Sequence, residues 1–266
     1  MTNSRKLALV TGASSGIGLE LALQFADNDF DLILCAEDAD LAAAAARCEQ
    51  SGAQVTTVQQ DLRTPQGVEA VYTAVGALGR PLDAAALNAG IGRGGVFWEI
   101  PLADQLDVVD LNVRSTVHLA RLLLADMAAR NEGRVLFTSS IASTMPGTYQ
   151  AVYNASKSFV QSLAEALQEE LKDTEVTVTS LMPGPTDTEF FDRAEMEGTP
   201  VGQGKKDDPA KVAKMGFEAL MAGKDRVVAA SLGTKAQEAM AKVMPDRGKA
   251  KMHAAMAKPE SEADRS

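Results

Sequence analysis

Residues 7–18 read LALVTGASSGIG: a short apolar run, a turn holding Gly12, Gly16 and Gly18, and a helical pattern from Ile17. The order of these pieces decides the fold. A Gly-rich turn between a strand and a helix N-terminus lets backbone N–H groups and the helix dipole face a pyrophosphate. The first two glycines are separated by three residues, against one in the common GxGxxG form, and no Lys-Ser/Thr pair follows, which excludes a nucleoside-triphosphate loop. Ser14, Ser15 and Ile17 share the turn and join the three glycines as candidate cofactor contacts. Taken alone, the glycines also fit a plain tight turn at a strand end.

Outward from this turn, short apolar or β-branched runs alternate with longer helical patterns. The strand candidates are LALV at 7, DLILCA at 31, VTTVQ at 55, DAAAL at 83, RVLFTSS at 134, VTVTSLM at 176 and RVVAA at 226. Runs that are apolar throughout suit strands buried on both faces of a parallel sheet, and the intervening helices suit βαβ units. The expected fold is therefore α/β: a doubly wound, mostly parallel seven-stranded Rossmann sheet with helices on both faces. One domain over 1–258 is expected, with residues 259–266 a disordered tail. The polar, Gly-rich stretch from about 186 to 209 embeds Phe190, Phe191 and Met196 and is longer than an ordinary connection, so it reads as a lid or a disordered loop.

A chain of 266 residues with 45% apolar content can bury a large core. Its formal charge of −10 repels a phosphate backbone, so nucleic acid is not an expected partner. No apolar run has the length of a membrane span, and the reading is of a cytoplasmic protein. Cys35 and Cys48 read as buried free thiols, and with only His118 and His253 in the chain no metal site is expected.

Two long helical patterns, about 103–130 and 153–172, carry more apolar surface than one buried face needs. In the first, one stripe runs through Leu106, Val109, Val113, Val117, Ala120 and Leu124 and another through Val108, Leu111, Ser115, Leu119, Leu122 and Met127. They read as the contacts of a homodimer or homotetramer, or else as helices sunk deep in their own core.

Glu37 and Asp38 follow the second strand, about twenty residues past the last glycine. A carboxylate there accepts both hydroxyls of an adenosine ribose and repels a 2′-phosphate, which favours NAD over NADP. Asp38 and Asp40 are also candidate N-caps for the alanine-rich helix that follows. Asp61 and Leu62, after the third strand, are candidates for the adenine edge, and Arg63 is a residue that could reach a 2′-phosphate were NADP the cofactor.

AVYNASKSFV, residues 151–160, sets Tyr153 and Lys157 four positions apart on one helix face. An ammonium held near a phenol favours the phenolate and is expected to lower its pKa. Ser140 stands at the end of the fifth strand, on the carboxyl edge where open α/β sheets bind ligands, as do Asn88, Ala89 and Gly90 at the end of the fourth. Asn112 lies inside a helical pattern, a poor place for Asn unless its amide has a task.

From Leu7 to about Val228 the sequence resembles the short-chain dehydrogenase/reductase family. The resemblance is carried in order by TGASSGIG, NAG at 88, Asn112 in LNV, Ser140, YNASK and PGPTDT at 183. It implies an NAD(H)-dependent oxidoreductase interconverting an alcohol and a ketone or aldehyde, with the tetrad Asn112, Ser140, Tyr153 and Lys157. Tyr153 would be the general acid/base, Ser140 would bind the substrate oxygen, Lys157 would hold the nicotinamide ribose, and Asn112 would support a water leading to Lys157. Pro183, Gly184, Thr186 and Thr188 would line the nicotinamide end. Members that prefer NADP usually carry a basic residue where this chain has Ser15 or Glu37; many members have Asn where this one has Leu87. An NADP(H)-dependent reductase and a non-catalytic dinucleotide-binding protein are the competing readings. Met145, Gln150, Phe190, Phe191 and Met196 are the candidate substrate contacts, suggesting a mainly apolar pocket.

Overall fold

The structure is a computed structural model that describes residues 5–230 and 244–259. The tail expected to be disordered falls, from residue 260 on, outside the described residues. Seven strands, β1 (Lys6–Thr11), β2 (Phe30–Ala36), β3 (Val55–Gln59), β4 (Ala84–Leu87), β5 (Gly133–Thr138), β6 (Val176–Pro183) and β7 (Arg226–Ala229), form one sheet in the order β3-β2-β1-β4-β5-β6-β7. Every pairing is parallel, so the sheet expected to be mostly parallel is wholly so.

The continuous apolar strands have a simple cause. Successive side chains leave a strand on opposite faces, and here both faces are covered. Ala8, Val10, Leu32 and Leu34 enter one apolar layer, with α1 (Gly16–Asp27), α2 (Leu41–Glu49) and a helix at Pro209–Met221. Leu7, Leu9, Ile33 and Cys35 enter the other, with α3 (Pro65–Ala77), α5 (Thr116–Arg130) and α6 (Ala151–Glu170). The first layer is pinned by Phe25, whose ring meets Phe30 and Phe217 edge-on at 5.1 Å each. Both cysteines are buried free thiols, as the sequence indicates, and burial pushes Cys35 up to about 12 and Cys48 up to about 11.

The long pattern at 103–130 is not one uniform α-helix. It consists of α4 (Leu102–Val109), a π-helical turn at Asp110–Ser115 and α5. Val108, Leu119 and Met127 of its second stripe are buried, whereas Leu106, Val109 and Val117 of its first are exposed and only its Ala120 and Leu124 are buried. The 186–209 stretch is ordered: two short helices, Phe190–Arg193 and Pro200–Gln203, and a bridge between Thr186 and Asp207 hold it. A last helix, Asp246–Ala257, packs against it. Among the described residues no helix is long and apolar enough to cross a membrane, and no His, Cys, Asp and Glu gather in a group fit for a metal ion.

The strand order reverses at β1 and β4. The glycine turn after β1, Asn88–Gly90 after β4, Ser139 and Ser140 after β5 and Gly184 after β6 therefore meet at one carboxyl edge of the sheet.

Candidate active site

One cavity of about 310 Å³ runs along that edge. Every residue proposed above as a cofactor contact, from Gly12 to Thr188, borders it, as do Ser140, Met145, Gln150, Phe190 and Phe191. Of the predicted set, only Asn112 and Met196 stand off its wall.

At the dinucleotide end the backbone is packed too closely for side chains. Gly12 is left-handed (φ +64°), and a Cβ there would lie 2.9 Å from Cα of Ala89; one on Gly18 would lie 1.9 Å from the Gly12 carbonyl oxygen. The turn thus hugs the strand ends and leaves the N-terminus of α1 open to the groove, a cradle fitted to a diphosphate. Asn88 locks three strands together: its N–H donates to Thr11 Oγ1 (3.0 Å), its Nδ2 to the Thr11 carbonyl (3.2 Å), and its Oδ1 accepts from Thr138 Oγ1 (3.0 Å).

The two acids after β2 have different tasks. Asp38 accepts from Ser14 Oγ at 2.9 Å and from the Asp40 N–H at 3.2 Å, tying the glycine turn to the start of α2. Glu37 stays half exposed at the groove and pairs with Arg63 at 2.8 Å. Arg63 is also held by Asp61 and Asp107, each at 2.9 Å, and the guanidinium keeps the Asp61 carboxyl below its ordinary range. The cation that sequence reading kept in reserve for a 2′-phosphate is thus surrounded by three carboxylates.

At the other end stand Ser140, Tyr153 and Lys157. Ser140 lies just past β5 at the cap of a short 3₁₀ turn, where its Oγ accepts from the Ala142 N–H (3.1 Å); it borders the same cavity as Tyr153 and favours the ionised phenol. Lys157 lies one turn along α6 from Tyr153; its Nζ stands 5.9 Å from the phenol ring centroid and donates to the Thr138 carbonyl at 2.9 Å. Burial pushes Lys157 down to about 8 and Tyr153 up to about 12, the latter offset in part by Ser140. The expected lowering of the Tyr153 pKa by its lysine neighbour is absent in this state. Lys157 is buried and Tyr153 partly so, and desolvation, which disfavours either charge, is the dominant influence on both.

The task of Asn112 is visible. It sits in the π turn, 1% exposed, accepting from the Ile91 N–H and donating to the Ile91 carbonyl, both at 2.9 Å. Its Nδ2 also reaches Ser156 Oγ at 2.9 Å, and that hydroxyl donates to the Tyr153 carbonyl at 2.7 Å. A Cβ on Gly90 would lie 3.1 Å from both Asn112 Oδ1 and Lys157 Nζ, which shows how closely β4's end, the π turn and α6 converge.

Over the catalytic end lies the ring of Phe190, 5.1 Å from that of Tyr153 and packed on the backbone of Gly92. Arg93 ties this covering segment down through Glu195 (2.8 Å) and Asp104 (2.6 Å). Met196, expected as a substrate contact, is instead fully buried with Phe191, Ala194 and Ala257, in the segment's own small core. Sequence reading missed His253, Met256 and Ala257 of the last helix and Ile91 and Gly92 beyond β4, all of which line the cavity. Nothing in their local pattern marks them.

A strand-end hydroxyl, a partly buried phenol and a buried ammonium on one wall of a groove along the carboxyl edge of a Rossmann sheet point to a class: oxidoreductases that act on an alcohol or carbonyl group with NAD(P). The family pattern described as short chain dehydrogenase matches residues 6–197, and the chain belongs to the short-chain dehydrogenase/reductase family. It is 36% identical over 188 residues to the 1-deoxy-11-beta-hydroxypentalenate dehydrogenase of Streptomyces exfoliatus, spanning 69% of this chain and 68% of that one. Among solved structures it is similar to a short-chain dehydrogenase/reductase from Burkholderia phymatum in complex with NAD (TM-score 0.81, 26% identity, 98% of this chain and 99% of that one). It is also similar to a short-chain dehydrogenase from Sphingobium yanoikuyae in complex with NADPH (TM-score 0.78, 25% identity, 90% and 96% covered).

Proposed function

We propose that the protein interconverts a secondary alcohol or an aldehyde-forming alcohol and its carbonyl compound with NAD(H), and that Tyr153 is the general acid/base. The observation that carries this reading is the convergence of Ser140, Tyr153 and Lys157 on one cavity wall, with Lys157 one helical turn from Tyr153 and its Nζ 5.9 Å from the phenol ring centroid. A bound nicotinamide would supply or accept the hydride. Charge then develops on the substrate oxygen, and Ser140 and Tyr153 are the donors aimed at it. Tyr153 gives its proton to that oxygen in reduction and takes it back in oxidation. Lys157, protonated below about pH 8, would supply positive charge that favours the phenolate against the burial that raises the Tyr153 pKa. Asn112 holds Ile91 and, through Ser156, the first turn of α6, so that these groups keep their spacing.

Glu37 supports NAD as the preferred cofactor, because its carboxylate suits a ribose diol and repels a 2′-phosphate. NADP would require Arg63 to exchange carboxylates for phosphate. The fully furnished Tyr153 and Lys157 speak against a non-catalytic dinucleotide-binding role. The exposed apolar side chains of Leu102 (70%), Leu106 (50%) and Phe159 (42%), on α4 and α6, support association into a homodimer or homotetramer, and the acidic chain would work in the cytoplasm. A panel of ketones with NADH and NADPH, and of secondary alcohols with NAD and NADP, followed by nicotinamide absorbance, tests the reading. Turnover with NADH exceeding that with NADPH is expected; no turnover of any carbonyl or alcohol, or a preference for NADPH, contradicts it.

A further inference from the structure

The cavity has a second polar station that the hydride-transfer chemistry does not use. His253, on the helix Asp246–Ala257, is 5% exposed and lines the cavity together with Met256 and Ala257. Its Nδ1 lies 2.8 Å from the Thr148 carbonyl oxygen. A carbonyl only accepts, so Nδ1 carries the hydrogen, and in the neutral ring Nε2 is left with a lone pair and no hydrogen. Among the described residues Nε2 makes no hydrogen bond. Burial holds the imidazolium below its ordinary range, partly offset by the Thr148 carbonyl, which keeps the ring neutral near pH 7.

The helix that carries the ring is held by the same residue. Thr148 Oγ1 also donates to the Ala250 carbonyl at 3.0 Å, so one residue clamps the last helix through two hydrogen bonds. Next to it Tyr149 is left-handed (φ +65°), a strained state for a bulky side chain. Gln150 follows, 6% exposed, bordering the same cavity, with its side-chain amide making no hydrogen bond among the described residues. The same cavity is bordered by the apolar side chains of Met145, Phe190, Phe191, Val201 and Met256, with Glu189 and Arg193 also on its wall. A cavity that is apolar apart from a few fixed polar groups uses those groups to select its ligand.

We propose that His253, with Gln150 bordering the same cavity, is a substrate-recognition residue whose Nε2 accepts a hydrogen bond from a second hydroxyl of the substrate, remote from the carbon that exchanges hydride. The substrate class is then an otherwise apolar hydroxyketone, or the corresponding diol. A wholly apolar ketone of the same shape would bury Nε2 without a partner, and a site built around a hydrogen bond discriminates strongly against the analogue that lacks it.

The inference rests on the proposed carbonyl–alcohol activity, and its test separates the two. The probes are methyl ketones of increasing chain length bearing a terminal hydroxyl, each paired with the parent alkanone, assayed in the wild type and in His253→Phe. At the chain length that fits, the wild type should favour the hydroxylated ketone in kcat/KM by at least about tenfold, and His253→Phe should bring that ratio close to one. An equal ratio in both proteins overturns the proposal, because a merely structural histidine would change stability and leave the ratio alone. Nitrogen NMR of the imidazoles gives a second reading that needs no variant at this position and no turnover, since the chain holds just two histidines, His118 and His253. The His253 ring should show Nδ1 protonated, with the Nε2 resonance moving when the hydroxylated ketone is added with NAD and staying in place with the parent ketone. A ring protonated at Nε2, or a resonance that ignores the hydroxyl at every chain length, overturns it. Absence of turnover with all ketones overturns the oxidoreductase assignment instead, and the titration still decides the role of His253.

Discussion

Replacing Lys157 by Met should make the cofactor-free protein more stable while removing its activity. Lys157 is buried, its Nζ has one protein acceptor, the Thr138 carbonyl, and its pKa is pushed down from 10.5 to about 8 by desolvation. At about 1.4 kcal/mol per pH unit, holding that proton in the folded chain costs about 3 kcal/mol relative to the unfolded chain. Methionine fills nearly the same volume without the charge, so at pH 7 the variant should gain about 2–3 kcal/mol, or about 4–10 °C in Tm. The sign of the pH dependence follows from proton counts. Between about pH 8 and 10.5 the unfolded wild type still carries a proton that the folded wild type has released, so the wild type gains stability as pH rises and the advantage of the Lys157→Met variant shrinks. Below pH 8 the full difference persists. Tyr153, whose folded pKa is raised to about 12, acts oppositely: the folded chain keeps a proton the unfolded one loses above pH 10, so stability falls there in both proteins. Urea unfolding at pH 7 and at pH 10, followed by circular dichroism at one fixed protein concentration, measures the difference. A variant less stable than the wild type at pH 7, or a gap that does not change with pH, would refute the reasoning.

Glu37→Gln takes one of three carboxylates from Arg63 and removes the charge facing a 2′-phosphate; the ratio of NADPH to NADH affinity should rise by about tenfold to a hundredfold in fluorescence titration, and an unchanged ratio would dismiss Glu37 as the discriminating residue. Asn112→Leu leaves the N–H and carbonyl of Ile91 unpaired and should lower stability by about 2–4 kcal/mol in urea unfolding; a loss under about 1 kcal/mol would mean the clamp is idle. Gly18→Ala sets a Cβ 1.9 Å from the Gly12 carbonyl, so the glycine turn must shift, and NADH affinity should fall by about a hundredfold or more in the same titration; wild-type affinity would show that the turn does not shape the binding site.

The strands were legible because burial on both faces removes alternation in β1, β2, β4, β5 and β6, while the half-exposed edge strands β3 and β7 were marked by β-branched residues; each of the seven runs became a strand within a few residues of its expected bounds. The glycine turn, Ser140, Tyr153 and Lys157 were legible because strand ends and a four-residue helix spacing fix their relative positions whatever the loops do. What was not legible depends on contacts between segments far apart in the chain. Met196 has the composition of a pocket residue, yet the segment folds on itself and buries it against Ala257. His253 lies 105 residues from the Thr148 carbonyl that orients it. The commitment of Arg63 to Asp107 spans 44 residues, and no sequence pattern announces it. Asn112 was conspicuous as an amide inside a helix, but the π turn that aims it at Ile91 is a property of packing.

Tyr153→Phe tests the central claim most directly, since it removes one oxygen and leaves the ring that packs on Phe190. With NADH binding held within about threefold of the wild type, turnover of every carbonyl substrate should drop by at least about a hundredfold. Retained turnover in a folded variant that binds NADH normally would contradict the assignment of the phenol as proton donor.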